Sequence, residues 1–142
     1  LPDLDVNIEE DIERLIKESG LIITTTSSKE PLIQSDWVKP GTHITAVGSD
    51  TPEKFELDPG ILSMADLVVA DSLEQNLIRG EIHQAVKRSL INSQSIVELG
   101  EIFAGLKPGR ISDDSITVAD LTGVAVQDLV IAKAVLREKK ES

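Results

Sequence analysis

Cysteine is absent from all 142 residues, which excludes disulfides and thiolate metal sites. Tyrosine is absent as well, and Trp37, Phe55 and Phe103 supply the whole aromatic content of 2%. Stacking platforms for nucleic-acid bases need exposed aromatics, so that role is excluded. Cations are scarce: 14 Lys and Arg stand against 25 Asp and Glu, a formal charge of −11. Phosphate neutralisation needs clustered cations, so no nucleic-acid partner is expected. No apolar run approaches the roughly 18 to 20 residues that span a bilayer, so no membrane partner is expected either. The acidic opening (Asp3, Asp5, Glu9, Glu10, Asp11) does not resemble a secretory signal, and the expected location is cytoplasmic. No glycine-rich phosphate loop of either common form occurs.

What is present is aliphatic and finely divided. Ile8, Ile12, Leu15 and Ile16 fall on one helical face, with Asn7 as the expected N-cap and Gly20 as the stop. Short β-branched runs follow, bounded by Gly, Pro and Ser: residues 21–26, 43–47, 66–70 and 116–120. Leu4–Val6 offers a further strand. Between the runs, residues 58–65, 72–78, 81–91 and 96–105 read as helices, and residues 123–138 as a long one. Strands alternating with helices imply an α/β fold with a mainly parallel sheet.

In such sheets ligands bind beyond the carboxyl ends of the strands. Polar and glycine residues gather there: Thr24–Ser28, Gly48–Asp50, Asp71–Ser72 and Asp120–Gly123. The last group leads into a helix, where free N–H groups favour an anion or a carboxamide. Ordinary turn chemistry explains the same clustering equally well. Asp50 follows an apolar strand and a Gly-Ser step, and reads either as a general base or as a solvated turn residue. His43 opens a strand and reads as structural. Glu81 and His83 lie two apart, on different sides of a helix, so no metal site is expected.

Residues 40–50, Pro-Gly-Thr-His-Ile-Thr-Ala-Val-Gly-Ser-Asp, continue into Lys54 and Glu56-Leu57. Together they closely resemble the P-G-x-H-x-x-A-V-G-x-D…K-x-E-L stretch of the ornithine cyclodeaminase/mu-crystallin family. The same family's pattern is matched, in order, by residues 66–72 with Gln75, Gly80-Glu81-Ile82, Glu98–Ile102 with Gly105, Gly109-Arg110, Asp113-Asp114, residues 116–118 and Thr122–Asp128.

The resemblance implies a partial Rossmann-like three-layer fold and an NAD or NADP cofactor. It implies hydride transfer at the α-carbon of a small amino acid or cyclic imine. By resemblance, Asp50 is the catalytic base. Thr25, Thr26 and Ser27 contact the cofactor, Val47, Gly48, Thr122 and Gly123 lie near the nicotinamide, and Lys54 stands close by. Leu121 replaces a residue that is commonly hydroxylic in the family. The sequence has no counterpart of the family's glycine fingerprint or of its substrate and dimerisation domain. The expectation is therefore that residues 1–142 form a truncated cofactor domain that exists as a homo-oligomer or in an assembly with a missing N-terminal half, because a cut sheet exposes an edge. Turnover by the isolated chain is not expected. The alternative reading is a non-catalytic small-ligand-binding or interaction module of the mu-crystallin type, or a remnant that works only in assembly.

Overall fold

The computed structural model describes residues 5–141. Five strands form one sheet: β1 (Leu21–Thr24), β2 (His43–Ala46), β3 (Leu67–Ala70), β4 (Val97–Glu98) and β5 (Thr117–Asp120). Their spatial order is β1-β2-β5-β3-β4, and every pairing is parallel. The last strand in the chain is thus the central one. Ile44 pairs in register with both Ile22 and Val118, and Val118 with Val68.

These four residues share one face, and the core lies there. Ile44 and Val118 are completely buried, together with Leu57, Ile61, Leu62, Ile82 and Ala85. The covering helices are α1 (Ile12–Glu18), α2 (Gly60–Met64) and α4 (Gly80–Lys87). An aliphatic core suits this layer packing, in which branched side chains of a parallel sheet meet helices. α3 (Leu73–Asn76) and α5 (Leu99–Phe103) complete the body, and α6 (Ala125–Glu141) follows β5.

Several boundaries differ from the sequence reading. α1 begins at Ile12, because Asp11 and not Asn7 caps it: its carboxylate accepts from Arg14 N at 3.1 Å. Ile8 is therefore exposed. Residues 97–98 form a strand where a helix was expected; α5 starts only after it, with a capping box between Glu98 and Glu101. α4 runs from Gly80 to Lys87, where a helix over residues 81–91 was expected. Asp5 and Val6 are irregular, and Leu4 lies outside the described residues.

The opposite face of the sheet is less covered. Leu21 and Ile23 point to it and are 62% and 61% exposed, so β1 is buried on one face only. Farther along, α5 and the segment after it roof a cavity of about 370 Å³ lined by Thr45, Val69, Ala119, Ile102 and Leu121. His43 sits at its margin, with Nδ1 2.6 Å from Thr117 Oγ1 and Nε2 3.1 Å from Thr45 Oγ1. Burial, with Arg110 nearby, lowers its pKa. Both ring nitrogens of His43 thus face threonine hydroxyls of the sheet. No described helix is long and apolar enough to cross a membrane.

Candidate functional site

Because all five strands run parallel, their carboxyl ends meet on one side of the sheet. β1 ends in Thr25, Thr26 and Ser27, all exposed. Its neighbour β2 ends in Val47 (41% exposed), Gly48, buried Ser49 and exposed Asp50. Adjacent strands stand about 4.8 Å apart, so these two turns flank one another.

The contact between the turns is very close. A Cβ on Gly48 would lie 1.9 Å from the Thr26 carbonyl oxygen and 2.7 Å from the Glu56 carboxyl carbon. Only glycine fits. Glu56 is completely buried and locks the two turns together. Its carboxylate accepts from Thr24 Oγ1 at 2.7 Å, Thr26 N at 2.5 Å and Gly48 N at 2.9 Å. Such charge-assisted bonds are what make a buried carboxylate tolerable.

A second buried carboxylate backs the first. Glu81, in the first turn of α4, accepts from Ser49 Oγ at 2.5 Å, Glu56 N at 2.7 Å and Leu57 N at 3.1 Å. Burial raises its pKa to about 7, against the pull of these three donors. A third, Asp120 at the end of β5, accepts from Ile82 N at 2.8 Å and so sits on the amino end of α4. Burial raises its pKa to about 7 as well, and its Oδ1 has no hydrogen-bond partner. Gly80 makes this approach possible: its φ is +87°, and a Cβ there would stand 2.6 Å from Asp120 Oδ2.

Asp50 lies at the open side of this frame. Lys54 Nζ is 2.7 Å from its Oδ1, and Arg79 Nη1 is 3.5 Å from its carbonyl oxygen. The Lys54 hydrogen bond holds the Asp50 pKa below the usual carboxylate range, so the group is ionised at neutral pH. Asp50 is therefore neither a free turn residue nor a carboxylate with its basicity raised by burial.

The Thr122-Gly123 turn differs from the expectation of free N–H groups. Gly123 N donates to Asp71 Oδ2 at 2.8 Å, and Thr122 Oγ1 donates to Asp71 Oδ1 at 3.2 Å. Asp71, at the end of β3, thus occupies the position an anion was expected to take. An incoming group would have to compete with that carboxylate. The structure brings Thr25, Thr26, Ser27, Val47, Gly48, Asp50 and Lys54 around the ends of β1 and β2, while Thr122 and Gly123 are tied to β3. Glu56 and Glu81 carry the frame, although nothing in their sequence context beyond the quoted motif distinguishes them from the other acidic residues.

Residues 2–142 match the family model described as the ornithine cyclodeaminase/mu-crystallin family. The chain belongs to this family. Alanine dehydrogenase of Archaeoglobus fulgidus is 47% identical over 116 residues, covering 81% of this chain and 36% of that protein. The structure of iminosuccinate reductase of Paracoccus denitrificans in complex with NAD+ superposes with a TM-score of 0.86 at 40% identity, covering 92% of this chain and 40% of that one. Delta(1)-pyrroline-2-carboxylate reductase of Thermococcus litoralis, in complex with NADH and L-proline, gives 0.86 at 31% identity, covering 91% and 40%. This member of the ornithine cyclodeaminase/mu-crystallin family thus spans about two-fifths of the length of the relatives it matches, and its fold is the Rossmann-like α/β arrangement of NAD-binding dehydrogenases.

Proposed function

We propose that the chain forms the nicotinamide-facing part of an NAD- or NADP-binding domain in an oxidoreductase or cyclodeaminase acting on a small amino acid or cyclic imine. One observation carries this reading: the tight joining of the β1 and β2 turns by Gly48 and Glu56, with Thr25, Ser27 and Val47 exposed at the ends of these adjacent strands. That surface offers hydroxyls for a carboxamide and an apolar wall for a flat ring, which suits nicotinamide. The relatives named above support it, since two of them were solved with NAD+ or NADH. When bound, the cofactor supplies hydride chemistry.

The residues of this chain have separate parts in that reading. Thr25, Thr26 and Ser27 hold the cofactor from the β1 side. Val47 and Gly48 border the ring, and Thr122 and Gly123 limit it from the β5 side. Asp50 takes a proton from the substrate, and Lys54 keeps it ionised beforehand. Exclusion of water around bound substrate would raise the proton affinity of Asp50 from its present low value. The residues described here provide no clamp for the substrate, and clamping carries much of the barrier reduction, so the isolated chain is expected to bind cofactor without turnover.

The Lys54–Asp50 ion pair also favours a second reading, a ligand-binding module without catalysis, because a carboxylate held by an ammonium is a poor base. Calorimetric titration of the chain with NADH and NADPH tests the cofactor reading. Saturable binding that Gly48→Ala abolishes supports it. A cooperatively folded chain that binds neither dinucleotide overturns it. Asp50→Asn in a catalytically competent assembly separates the two readings: lost turnover with retained cofactor affinity supports the base, and unchanged turnover removes it.

A further inference from the structure

We propose that Glu81 is a positioning residue, which acts through Ser49 to fix the Val47–Asp50 turn against α4 and so sets the gap between that turn and the end of β1. The proposal rests on the reading that a nicotinamide cofactor lies at this gap. Three distances carry it. Ser49 is 2% exposed, and its hydroxyl donates to Glu81 Oε1 at 2.5 Å. The same oxygen accepts from Glu56 N at 2.7 Å, and the other from Leu57 N at 3.1 Å. Glu56 in turn reaches Thr24, Thr26 and Gly48. One carboxylate on α4 therefore holds both the turn bearing Asp50 and the backbone of the residue that ties this turn to β1.

Every group pointing at Glu81 is a donor. The ionised form satisfies all three, whereas a proton on Oε1 forces the Ser49 hydroxyl to turn its own hydrogen elsewhere. The ionisable groups around Glu81 are Glu56 from the segment before α2 and Asp120 from β5, with Asp71 beyond Asp120. Arg79 precedes α4, and Lys54 pairs with Asp50. Burial first, and the nearby Glu56 carboxylate to a lesser degree, favour the protonated form of Glu81 and raise its pKa to about 7. A change in the protonation of Glu81 would thereby reach the Asp50 turn through the Ser49 hydroxyl.

The test uses Glu81→Gln and Ser49→Ala in the 142-residue chain, with two measurements. The first follows the backbone amide resonances of Gly48, Ser49 and Asp50 across about pH 5 to 9. In the wild type they should share one transition near neutrality, and that transition should vanish in Glu81→Gln. The second is NADH affinity at pH 8, expected to fall about tenfold in each variant, the loss of one charge-assisted hydrogen bond. A merely structural glutamate would lower the melting temperature and leave the affinity of the folded fraction unchanged. Ser49→Ala retains both backbone partners of Glu81 and so remains folded if Glu81→Gln does not. Amides that do not titrate, or folded variants that bind within about twofold of wild type, overturn the proposal. If the wild type binds no NADH, the proposed function fails, and the amide titration alone then decides whether Glu81 holds the turn.

Discussion

Lys54 Nζ lies 2.7 Å from the Asp50 carboxylate, four residues away along an irregular turn rather than along a helix. The pair depresses the proton affinity of the one carboxylate that the family resemblance marks as a base. Lys54→Met should therefore raise the Asp50 pKa toward the ordinary aspartate value. Carbon-detected NMR titration of the Asp50 carboxyl measures this directly. Because Asp50 is 58% exposed, high salt should shrink the difference between variant and wild type. An Asp50 titration identical in both proteins would show that the ion pair does not persist in solution.

Gly48→Ala should be among the most damaging single-methyl substitutions in this chain. The new Cβ would stand 1.9 Å from a backbone carbonyl oxygen, and backbone cannot swing away as a side chain can. A loss of about 2–3 kcal/mol in unfolding free energy is expected, read from the urea midpoint at constant m-value. The same substitution at Gly100, where a Cβ meets nothing within 4 Å, should be neutral or slightly stabilising.

Two buried acids give stability an unusual pH slope. Glu81 and Asp120 titrate near 7 in the folded protein, above their ordinary values of 4.5 and 3.8. The folded state thus holds more protons than the unfolded state between those limits. Their contribution to stability is complete below about pH 4 and declines as pH rises to about 7. Thermal melts should show a higher midpoint at pH 5 than at pH 8. Asp120→Asn should flatten part of that slope, since the amide is neutral throughout and its oxygen still accepts from Ile82 N. Equal midpoints at both pH values, in wild type and variant alike, would contradict this account.

The open side of β1 makes a further expectation concrete. Leu21 and Ile23 expose most of their surface on the edge strand of the sheet. Such a strand pairs readily with another chain. Sedimentation velocity should show concentration-dependent association of the 142-residue chain, reduced by Ile23→Lys. Since Ile23 contributes little to the core, the variant should lose less than about 1 kcal/mol of stability. A monomer over a wide concentration range would refute the expectation.

How much of this was legible in the sequence depended on the range of the interaction. β1, β2, β3 and β5 each announced themselves as a β-branched run between breakers, because burial on a sheet is written locally. β4 did not: Val97–Glu98 is two residues long and sits against a helical composition, so only its pairing with Val69 and Ala70 makes it a strand. The start of α1 was misplaced because Asn7 and Asp11 both make good caps, and local preference does not choose between them. The Gly123 amide looked free for the same reason: its partner, Asp71, is 52 residues away. Glu56 and Glu81 were visible as motif letters, but acidic residues are ordinarily exposed, and only the fold shows that both are buried with three donors each.

The position of β5 bears on how this protein is made. A ribosome delivers β2 and β3 long before the strand that must lie between them. Until residue 120 has emerged, β2 and β3 have no common neighbour, and Asp120 is not there to receive the amino end of α4. Closure of the sheet therefore depends on contacts between segments far apart in the chain, the kind of contact that slows the folding of parallel sheets. A nascent chain stalled before β5 should remain protease-sensitive throughout, and release of the last strand should protect both halves in a single step.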